Sequence, residues 1–268
     1  MKFTVLLSLY HKEKPEYLSE CLHSIENNTL QPDQVIIVFD GNVGEILEAV
    51  VVNFMVRLPI EIVRIPSNVG LGNALNHGIK FSRNDIIVRM DTDDKCLPER
   101  FEKQITYLKN NPQLALLGSA IEEYDETFNR AQGVRFSVIK HCQIKEYAKK
   151  RNPFNHMSIV FKKSVVEQVG GYQHHYFMED YNLWLRIIAS GYVTHNSPEV
   201  LVHVRAGRGM ISRRKGGKYV ASEIKLAKLK YQLRIDTAVG VITIAIIRIV
   251  PRLLPTVLLE YFYNLLRK

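Results

Sequence analysis

Short apolar runs alternate along the first 90 positions with segments in which apolar residues recur every three or four places. The runs have the length of strands, and the segments between them have the spacing of helices. The predicted strands are 4–9, 35–39, 60–65 and 86–90, and the predicted helices are 15–27 and 71–81. Strands that are apolar throughout are covered on both faces, so the pattern predicts an α/β fold with a mainly parallel sheet flanked by helices.

The alternation continues less regularly to about residue 205. Pro98 is suited to the first position of a further helix, which stops near Asn110. More strands are expected at 114–117, with Ile121, and at 159–161, and more helices near 164–169 and 180–190. Residues 125–157 show no clear period, and we predict no element there.

The C-terminal quarter has a different pattern, so we divide the chain into a domain at 1–205 and a helical region at 206–268. Residues 237–247 are an uncharged run of eleven, shorter than the ~20 residues that span a bilayer. Residues 253–266 place apolar side chains on one helical face, which is typical of an amphipathic helix lying in a membrane interface. A helix packed on the protein's own core is the alternative.

Composition and charge limit the classes of partner that the protein is expected to bind. The chain has 268 residues, 46% of them apolar, which is enough for one principal core. Residues 201–268 hold 14 basic and three acidic side chains, a balance of +11, whereas the other residues sum to −2. This asymmetry predicts no nucleic-acid partner and favours anionic lipid or a phosphate-bearing acceptor, although a solvated basic helix is an alternative. The three cysteines lack the spacing of metal ligands, and the N-terminal residues lack the cleavage pattern of a signal peptide. Both observations favour a reduced cytosolic setting.

Acidic residues follow two of the buried strands. Asp40 closes the run 35–39, and Asp91, Asp93 and Asp94 follow the run 86–90. Both groups therefore lie at carboxyl ends of strands, where open α/β sheets bind ligands. Carboxylates this close repel each other unless a cation lies among them, and oxygen ligands suit Mg²⁺ or Mn²⁺ bridging a diphosphate. The alternatives are an ordinary Asp-Gly turn at Asp40 and a chance Asp-x-Asp.

Two further segments carry candidate chemistry. Residues 68–78 are rich in glycine and asparagine, but Leu75 replaces the third glycine of a dinucleotide fingerprint, which therefore fails. The segment is either a loop that approaches a nucleotide or a plain turn before a helix. Glu179 and Asp180 begin the helix predicted near 180–190. They can cap it, since its dipole favours anions there, or supply a base that takes a proton from an acceptor hydroxyl. Both can hold together, with one carboxylate capping and its neighbour reacting.

Taken in order, five segments resemble the family 2 glycosyltransferases of the GT-A fold, most closely the bacterial surface-polysaccharide enzymes. They are SLYHKEKPEYLSECLHSI, VIIVFDG, SNVGLGNALNHGI, RMDTDD and MEDYNLWLR. The resemblance covers roughly residues 3–205. It implies a Rossmann-like nucleotide-binding core and a metal-dependent transfer of one sugar.

The resemblance also assigns roles to individual residues. The expected nucleotide and donor contacts are Ser8, Tyr10, Asp40, Asn68, Asn73, Asp91 and His156. The expected ligands of Mn²⁺ or Mg²⁺ are Asp93 and Asp91. Asp180, beside Glu179, would be the catalytic base of an inverting single displacement.

The implied reaction moves one hexose from a UDP-sugar, with UDP-galactose or UDP-glucose favoured, to a polyprenyl-diphosphate-linked saccharide. The setting would be O-antigen, capsule or exopolysaccharide assembly, by a peripheral protein on the cytoplasmic face of the bacterial inner membrane. Many relatives have Asp-Asp-Gly-Ser where this chain has residues 39–42, Phe-Asp-Gly-Asn, so one carboxylate remains to bind the base. The chain lacks a Gln-x-x-Arg-Trp motif, which disfavours a processive synthase. A non-catalytic sugar-nucleotide-binding protein is the alternative, but it would need no base at position 180.

Overall fold

The structure, a computed structural model, describes residues 1–206 and 216–250. The strands are β1 Thr4–Leu9, β2 Gln34–Asp40, β3 Ile60–Ile65, β4 Ile86–Arg89, β5 Lys95–Cys96, β6 Leu114–Tyr124, β7 Ala131–Arg135, β8 Val160–Lys162 and β9 Val193–Arg205. The helices are α1 Pro15–Glu26, α2 Glu45–Phe54, α3 Leu71–Phe81, α4 Arg100–Asn110, α5 His141–Lys150, α6 Lys163–Gln168, α7 Glu179–Ala189, α8 Gly217–Gln232 and α9 Ala238–Ile249. The strands form one sheet in the order β3-β2-β1-β4-β8-β6-β9-β5, with β7 beside β6.

The first four strands form a parallel half-sheet covered on both faces. Alternate side chains of β1 enter two separate cores: Val5 and Leu7 pack with α1, α2 and α4, whereas Leu6 packs with α3 and α7. Successive side chains of a strand point to opposite faces, so an unbroken apolar run fills both layers. The predicted parallel sheet between helices is confirmed for this half.

The second half of the sheet is mixed. Strand β8 pairs antiparallel with β4 and β6, while β6 runs parallel to β9. The long strand β9 carries polar residues such as Asn196, which is buried and donates to the Val138 carbonyl. The carboxyl end of β9 therefore reaches the same region as the carboxyl ends of β1, β2 and β4, since β5, which follows β4, pairs with it.

Several predicted bounds differ from the observed ones. Helix α4 begins at Arg100 and not at Pro98, because residues 97–99 form a turn closed by the bond from Arg100 N to Leu97 O. The strand expected at 114–117 extends to Tyr124. Residues 125–157, for which no element was predicted, contain β7, α5 and a short 3₁₀ helix at His156–Ser158.

Helix α3 packs unusually close to the sheet. A β-carbon at Gly78 would overlap the side chains of Leu6 and Val38, so only glycine permits this approach. The close packing fixes the position of the α3 N-terminus, and with it the loop 66–70 that precedes the helix.

The C-terminal helices pack on the domain from outside. Tyr219 and Leu226 of α8 join the same core as α7. Helix α9, capped by the Thr237 hydroxyl, buries only Val241, and its exposed apolar residues are Val239, Ile242, Ile246 and Ile247. Within residues 1–206 and 216–250, no helix combines the length and hydrophobicity needed to cross a bilayer. The amphipathic helix expected at 253–266 lies outside the described residues, and the division into 1–205 and 206–268 stays a prediction.

Candidate active site

The candidate site lies along the edge where β1, β2 and β4 end. These strands are parallel neighbours, so their carboxyl ends share one edge of the sheet. Ser8 is the fifth residue of β1 and lies opposite Val38 of β2, while Tyr10 follows the strand and is 42% exposed. The edge thus places Ser8 and Tyr10 between the two acidic strand ends.

Asp40 at the end of β2 is buried and folds the loop before α3. Its carboxylate accepts hydrogen bonds from Asn68 Nδ2 at 2.9 Å, Val69 N at 2.7 Å and Gly70 N at 3.1 Å. Asp40 is therefore more than a turn former, because it ties β2 to the loop leading into α3. A direct contact with a nucleotide base stays a prediction, since these three bonds are all to the protein.

Asn73 lies in the first turn of α3 and is exposed. Its Nδ2 donates to Val69 O at 3.0 Å, which closes the same loop from the helix side. The structure thus brings Asp40, Asn68 and Asn73 together around residues 68–70, as parts of one loop.

The acidic cluster after β4 is compact. One carboxylate oxygen from each of Asp91, Asp93 and Asp94 lies within 4.8 Å of the others. Arg89 forks onto both oxygens of Asp91, with Nη1 to Oδ2 at 2.9 Å. Burial, followed by the charges of Asp91 and Glu13, raises the pKa of Asp93 to about 7. The close packing of these carboxyl groups therefore favours the protonated form of Asp93 unless a cation neutralises the cluster.

This donor set fits a hard divalent cation. Asp94 Oδ1 accepts from the backbone N of Arg205 at 3.0 Å, while its buried Oδ2 has no hydrogen-bond partner among the described residues. A buried carboxylate oxygen without a partner is costly, and a cation with oxygen ligands would satisfy it. Asp94 Oδ2 would then join Asp91 and Asp93, the two predicted ligands, around that cation.

Arg205, at the end of β9, is a site residue that no local sequence pattern predicted. Its Nε donates to Asp93 O at 3.1 Å and its Nη2 to Glu20 Oε2 at 2.7 Å. The guanidinium lies 3.5 Å from the ring centre of Tyr17. Arg205 therefore fixes the backbone of the acidic cluster against α1, across 112 residues of sequence.

A pocket of about 210 Å³ adjoins this edge at the N-terminus of α7. Its lining residues are Leu71, Gly72, His156, Tyr172, Phe177, Glu179 and Asp180. A β-carbon at Gly72 would come within 3.3 Å of Glu179 Cγ, so the start of α3 lies directly against the start of α7. The predicted residues His156, Glu179 and Asp180 therefore lie in one pocket.

Asp180 is held in a fixed orientation. Its Oδ2 accepts from Asn152 Nδ2 at 2.6 Å, and its Oδ1 accepts from Tyr181 N at 2.7 Å. Burial raises the pKa of Asp180, and these donors and Arg89 oppose the rise. Burial also raises the pKa of Glu179. Partly desolvated carboxyl groups with raised pKa values are suited to accept a proton.

His156 and Tyr172 connect the pocket to the acidic cluster. His156 Nε2 and the Tyr172 hydroxyl are 2.8 Å apart. Burial, with Arg89, lowers the pKa of His156 well below its usual value, so the ring is neutral. Burial raises the pKa of Tyr172, Arg89 opposes the rise, and Asp180 and Asp91 add to it. Arg100 Nη2 donates both to Arg89 O and to Met157 O, which places the strand before the acidic cluster beside the residue that follows His156.

Comparisons with known proteins show the family of this chain. The family model for glycosyl transferase family 2 matches residues 4–170. The amylovoran biosynthesis glycosyltransferase AmsE of Erwinia amylovora is 44% identical over 266 residues, which cover 99% of both chains. A UDP-Gal:alpha-D-GlcNAc-diphosphoundecaprenol beta-1,3-galactosyltransferase of Escherichia coli is 39% identical over 264 residues, 98% of this chain and 95% of the relative.

Solved structures share the fold at low identity. S. aureus TarS 1–349 in complex with UDP-GlcNAc has a TM-score of 0.71 and 14% identity, over 94% of this chain and 72% of that one. The mannosyltransferase PcManGT of Pyrobaculum calidifontis, in complex with GDP-Man and Mn²⁺, has a TM-score of 0.66 and 16% identity, over 99% and 80%. The GT-A fold expected from the sequence is confirmed. The family model covers more than half of the chain, and the AmsE relative is 44% identical over nearly all of both chains. The chain therefore belongs to glycosyltransferase family 2.

Proposed function

We propose that the protein is an inverting, metal-dependent glycosyltransferase that moves a single hexose from a UDP-sugar to a polyprenyl-diphosphate-linked saccharide. The observation that carries the proposal is the juxtaposition of an acidic cluster fit for a cation with a pocket that holds Glu179 and Asp180. Arg100 Nη2 donates to Arg89 O at 2.8 Å and to Met157 O at 3.0 Å, so the strand before the acidic cluster lies beside the segment that carries His156 of the pocket. The acidic cluster suits a leaving diphosphate, and the pocket suits an incoming hydroxyl.

The donor half of the reaction belongs to the acidic cluster. A bound Mn²⁺ or Mg²⁺ would supply positive charge that stabilises the departing diphosphate. Asp93 and Asp91 would hold the ion, while Arg89 keeps Asp91 in place. The Mn²⁺ bound in the mannosyltransferase complex supports this role. Asp40, Asn68 and Asn73 shape the loop beside the nucleotide, with Ser8 and Tyr10 on the neighbouring strand.

The acceptor half belongs to the pocket at α7. The acceptor oxygen attacks the anomeric carbon from the face opposite the diphosphate. The new carbon–oxygen bond forms as the bond to the leaving phosphate oxygen breaks, and the hydroxyl proton passes to Asp180. A single backside displacement inverts the anomeric configuration. His156 and Glu179 line the space for the sugar.

The substrate class rests on the relatives. Their names refer to amylovoran biosynthesis, to O-antigen biosynthesis and to transfer from UDP-galactose to a diphosphoundecaprenol-linked sugar. The reaction of this chain would accordingly belong to O-antigen, capsule or exopolysaccharide assembly. UDP-galactose is the first donor to test, followed by UDP-glucose.

A lipid-linked acceptor also suits attachment to a membrane surface. The exposed apolar side of α9 and the basic charge of residues 201–268 are consistent with a peripheral protein on the cytoplasmic face of the bacterial inner membrane. In this proposal, residues 1–205 carry out catalysis and residues 206–268 associate with the membrane.

The test uses purified protein, a panel of UDP-sugars with Mn²⁺, and a sugar linked to a lipid diphosphate. We expect one sugar to be added, with the anomeric configuration inverted in the NMR spectrum of the product. Asp180→Asn should lower kcat by roughly 10²- to 10⁴-fold, because general-base catalysis contributes about that much. UDP binding measured by calorimetry should be unchanged.

The matched control is Glu146→Gln, an exposed carboxylate on α5 that should leave kcat unchanged. Retained anomeric configuration would contradict the displacement mechanism. Wild-type turnover in Asp180→Asn would move the base elsewhere. UDP binding without any transfer would favour the non-catalytic alternative.

A further inference from the structure

A second cavity, of about 380 Å³, lies beside the pocket that holds Glu179 and Asp180. It is open to solvent and lined by His174 and Tyr176 from the loop before α7, and by Lys218, Ala221, Ser222 and Lys225 from α8. The four α8 residues are spaced i, i+3, i+4 and i+7, so they form one face of the helix. No mechanistic role described above uses these residues.

One loop separates the two cavities and contributes side chains to both. Tyr172 and Phe177 line the pocket at Asp180, whereas His174 and Tyr176 line the second cavity. Phe177 has a left-handed backbone with φ of 58°, and its ring lies 4.3 Å from that of Tyr176. The cavities are therefore adjacent, with only the thickness of this loop between them.

The wall between the cavities is anchored by a buried histidine. His175 is fully buried, and burial lowers its pKa, so the ring is neutral. Its Nε2 lies 2.9 Å from Ser222 O, and its Nδ1 lies 3.2 Å from Asn182 Nδ2. Nε2 therefore donates to α8, while Nδ1 accepts from α7. The loop is fixed to both helices, so the second cavity is preformed.

The charge around this cavity is positive. Lys218 and Lys225 are exposed ammonium groups, and the six lining residues include no carboxylate. Lys225 Nζ donates to His174 O at 2.6 Å, which leaves two of its three N–H donors for a ligand. The nearby acid Glu223 is buried and forms an ion pair with Arg248 of α9. Among the described lining residues no carboxylate faces the two ammonium groups, and such a pair suits a phosphate ester, which lysine binds as a point charge.

We infer that this cavity binds the phosphate groups of the acceptor, so that Lys218 and Lys225 hold its diphosphate while its sugar extends into the pocket at Asp180. The inference rests on the proposed function. In an acceptor with one sugar on the diphosphate, the phosphates and the attacking hydroxyl lie on different sides of one ring. Both cavities are open to solvent, so the saccharide can pass over the loop between them, from the phosphates in one cavity to the attacking hydroxyl in the other.

The test compares Lys218→Ala/Lys225→Ala with Lys80→Ala/Lys109→Ala, a control that removes two exposed lysines from α3 and α4. Each is assayed with a short-chain, water-soluble lipid-diphosphate sugar and with the same sugar on an uncharged aglycone. We expect the first variant to raise KM for the diphosphate acceptor about tenfold or more, because it loses charge-assisted hydrogen bonds. Its KM for the UDP-sugar and its rate with the uncharged acceptor should match the control.

An unchanged KM for the diphosphate acceptor would overturn the inference, as would an equal loss with both acceptors. A phospholipid headgroup is a second source of phosphate, and pelleting with phosphatidylglycerol vesicles tests it. If the double lysine variant loses pelleting while its KM for the acceptor is unchanged, the cavity binds a lipid headgroup and the inference is wrong. If the wild type transfers sugar to neither acceptor, the proposed function fails. Calorimetry with UDP present then measures the affinity of the wild type and of the variant for the diphosphate acceptor, which tests the role of the cavity without sugar transfer. Equal affinities would overturn the inference.

Discussion

The candidate reactive carboxylates are oriented by donors that are distant in sequence. Asp180 is held by Asn152, which precedes it by 28 residues, and Asp94 by the backbone of Arg205, which follows it by 111. A carboxylate that accepts hydrogen bonds is easier to ionise, so each donor affects both the position and the pKa of its partner. Asn152 is therefore a positioning residue that acts through Asp180.

We predict that Asn152→Ala shifts the acidic limb of the kcat profile to higher pH. Asp180 must be ionised to accept a proton. Without the donor at 2.6 Å its pKa rises further above the usual carboxyl range. The loss of kcat should be roughly tenfold on the acidic limb and smaller at high pH. Asn111→Ala, just after α4, is the control. A kcat profile that falls equally at all pH values would assign Asn152 a structural role only.

The sequence predicted those site residues that a local pattern marks. Asp40 and Asp91 could be selected because each follows a buried apolar run, and a strand's end is visible in the sequence. Arg205 and Asn152 could not, since only the folded chain brings them to their partners. Asp40 also shows that selecting a residue does not settle its contacts, because its carboxylate binds the loop 68–70.

At the scale of elements, the C-terminal end of α5 joins three helices. Its carbonyl groups accept from Tyr181 Oη of α7 at 2.6 Å, from Lys230 Nζ of α8 at 2.7 Å and from Arg248 Nη1 of α9 at 3.1 Å. The last carbonyls of a helix lack intrahelical partners, and here neighbouring helices supply the donors. Asn152 follows two residues after α5 ends, so this junction also sets the position of the candidate base.

We predict that Lys230 makes stability depend on pH. Burial lowers the pKa of Lys230 to about 7, against 10.5 for an exposed lysine. Between these values the unfolded chain binds more protons, so the free energy of unfolding rises with pH, by at most about 1.4 kcal/mol per pH unit. Chemical denaturation at pH 7 and pH 9 should show this rise in the wild type and a smaller one in Lys230→Met.

Lys228→Met, an exposed neighbour on α8, is the control and should keep the wild-type rise. If Lys230→Met gains as much stability from pH 7 to pH 9 as the wild type, the buried lysine is not responsible.

Most elements with a continuous apolar pattern were predicted and those without one were not; the exception is α2, which was missed although residues 49–52 are apolar. Strands β1 and β3 and helix α3 have the expected bounds. Helix α5 was missed because it buries only Ile144 and Ala148, too few for a visible period. Strand β9 was missed because it alternates buried and partly exposed residues and includes buried polar ones. Such strands depend on neighbours that the local sequence does not reveal.

Across the whole molecule, net positive charge is concentrated in the C-terminal quarter, and the described part of that quarter also exposes several apolar side chains. Helix α9 exposes Ile242 and Ile246 at 59% and 55%, although both are large apolar residues. An exposed apolar helix face beside basic residues is the arrangement of interfacial membrane helices. The cavity beside α8, which we propose binds the acceptor phosphates, lies in the same part of the fold, which would bring lipid-linked substrate and membrane attachment together.

We predict that residues 237–268 attach the protein to membranes. Deleting them, or the milder change Ile242→Gln/Ile246→Gln, should reduce pelleting with phosphatidylglycerol vesicles, because each removes apolar surface that lipid would cover. The control, Ile46→Gln/Val56→Gln, changes two comparably exposed apolar residues at α2 and just after it. Unchanged pelleting of the deleted chain would show that the attachment lies elsewhere.

Sugar transfer should depend on a divalent cation held by Asp93 and Asp91. The most direct test of this dependence is the transfer rate of the wild type and of Asp93→Ala after exhaustive dialysis against EDTA, and again during titration with Mn²⁺ or Mg²⁺. We expect the wild type to lose its activity on dialysis and to regain it with the metal, while Asp93→Ala stays inactive throughout. Full transfer by the dialysed wild type, or a wild-type rate in Asp93→Ala, would contradict it.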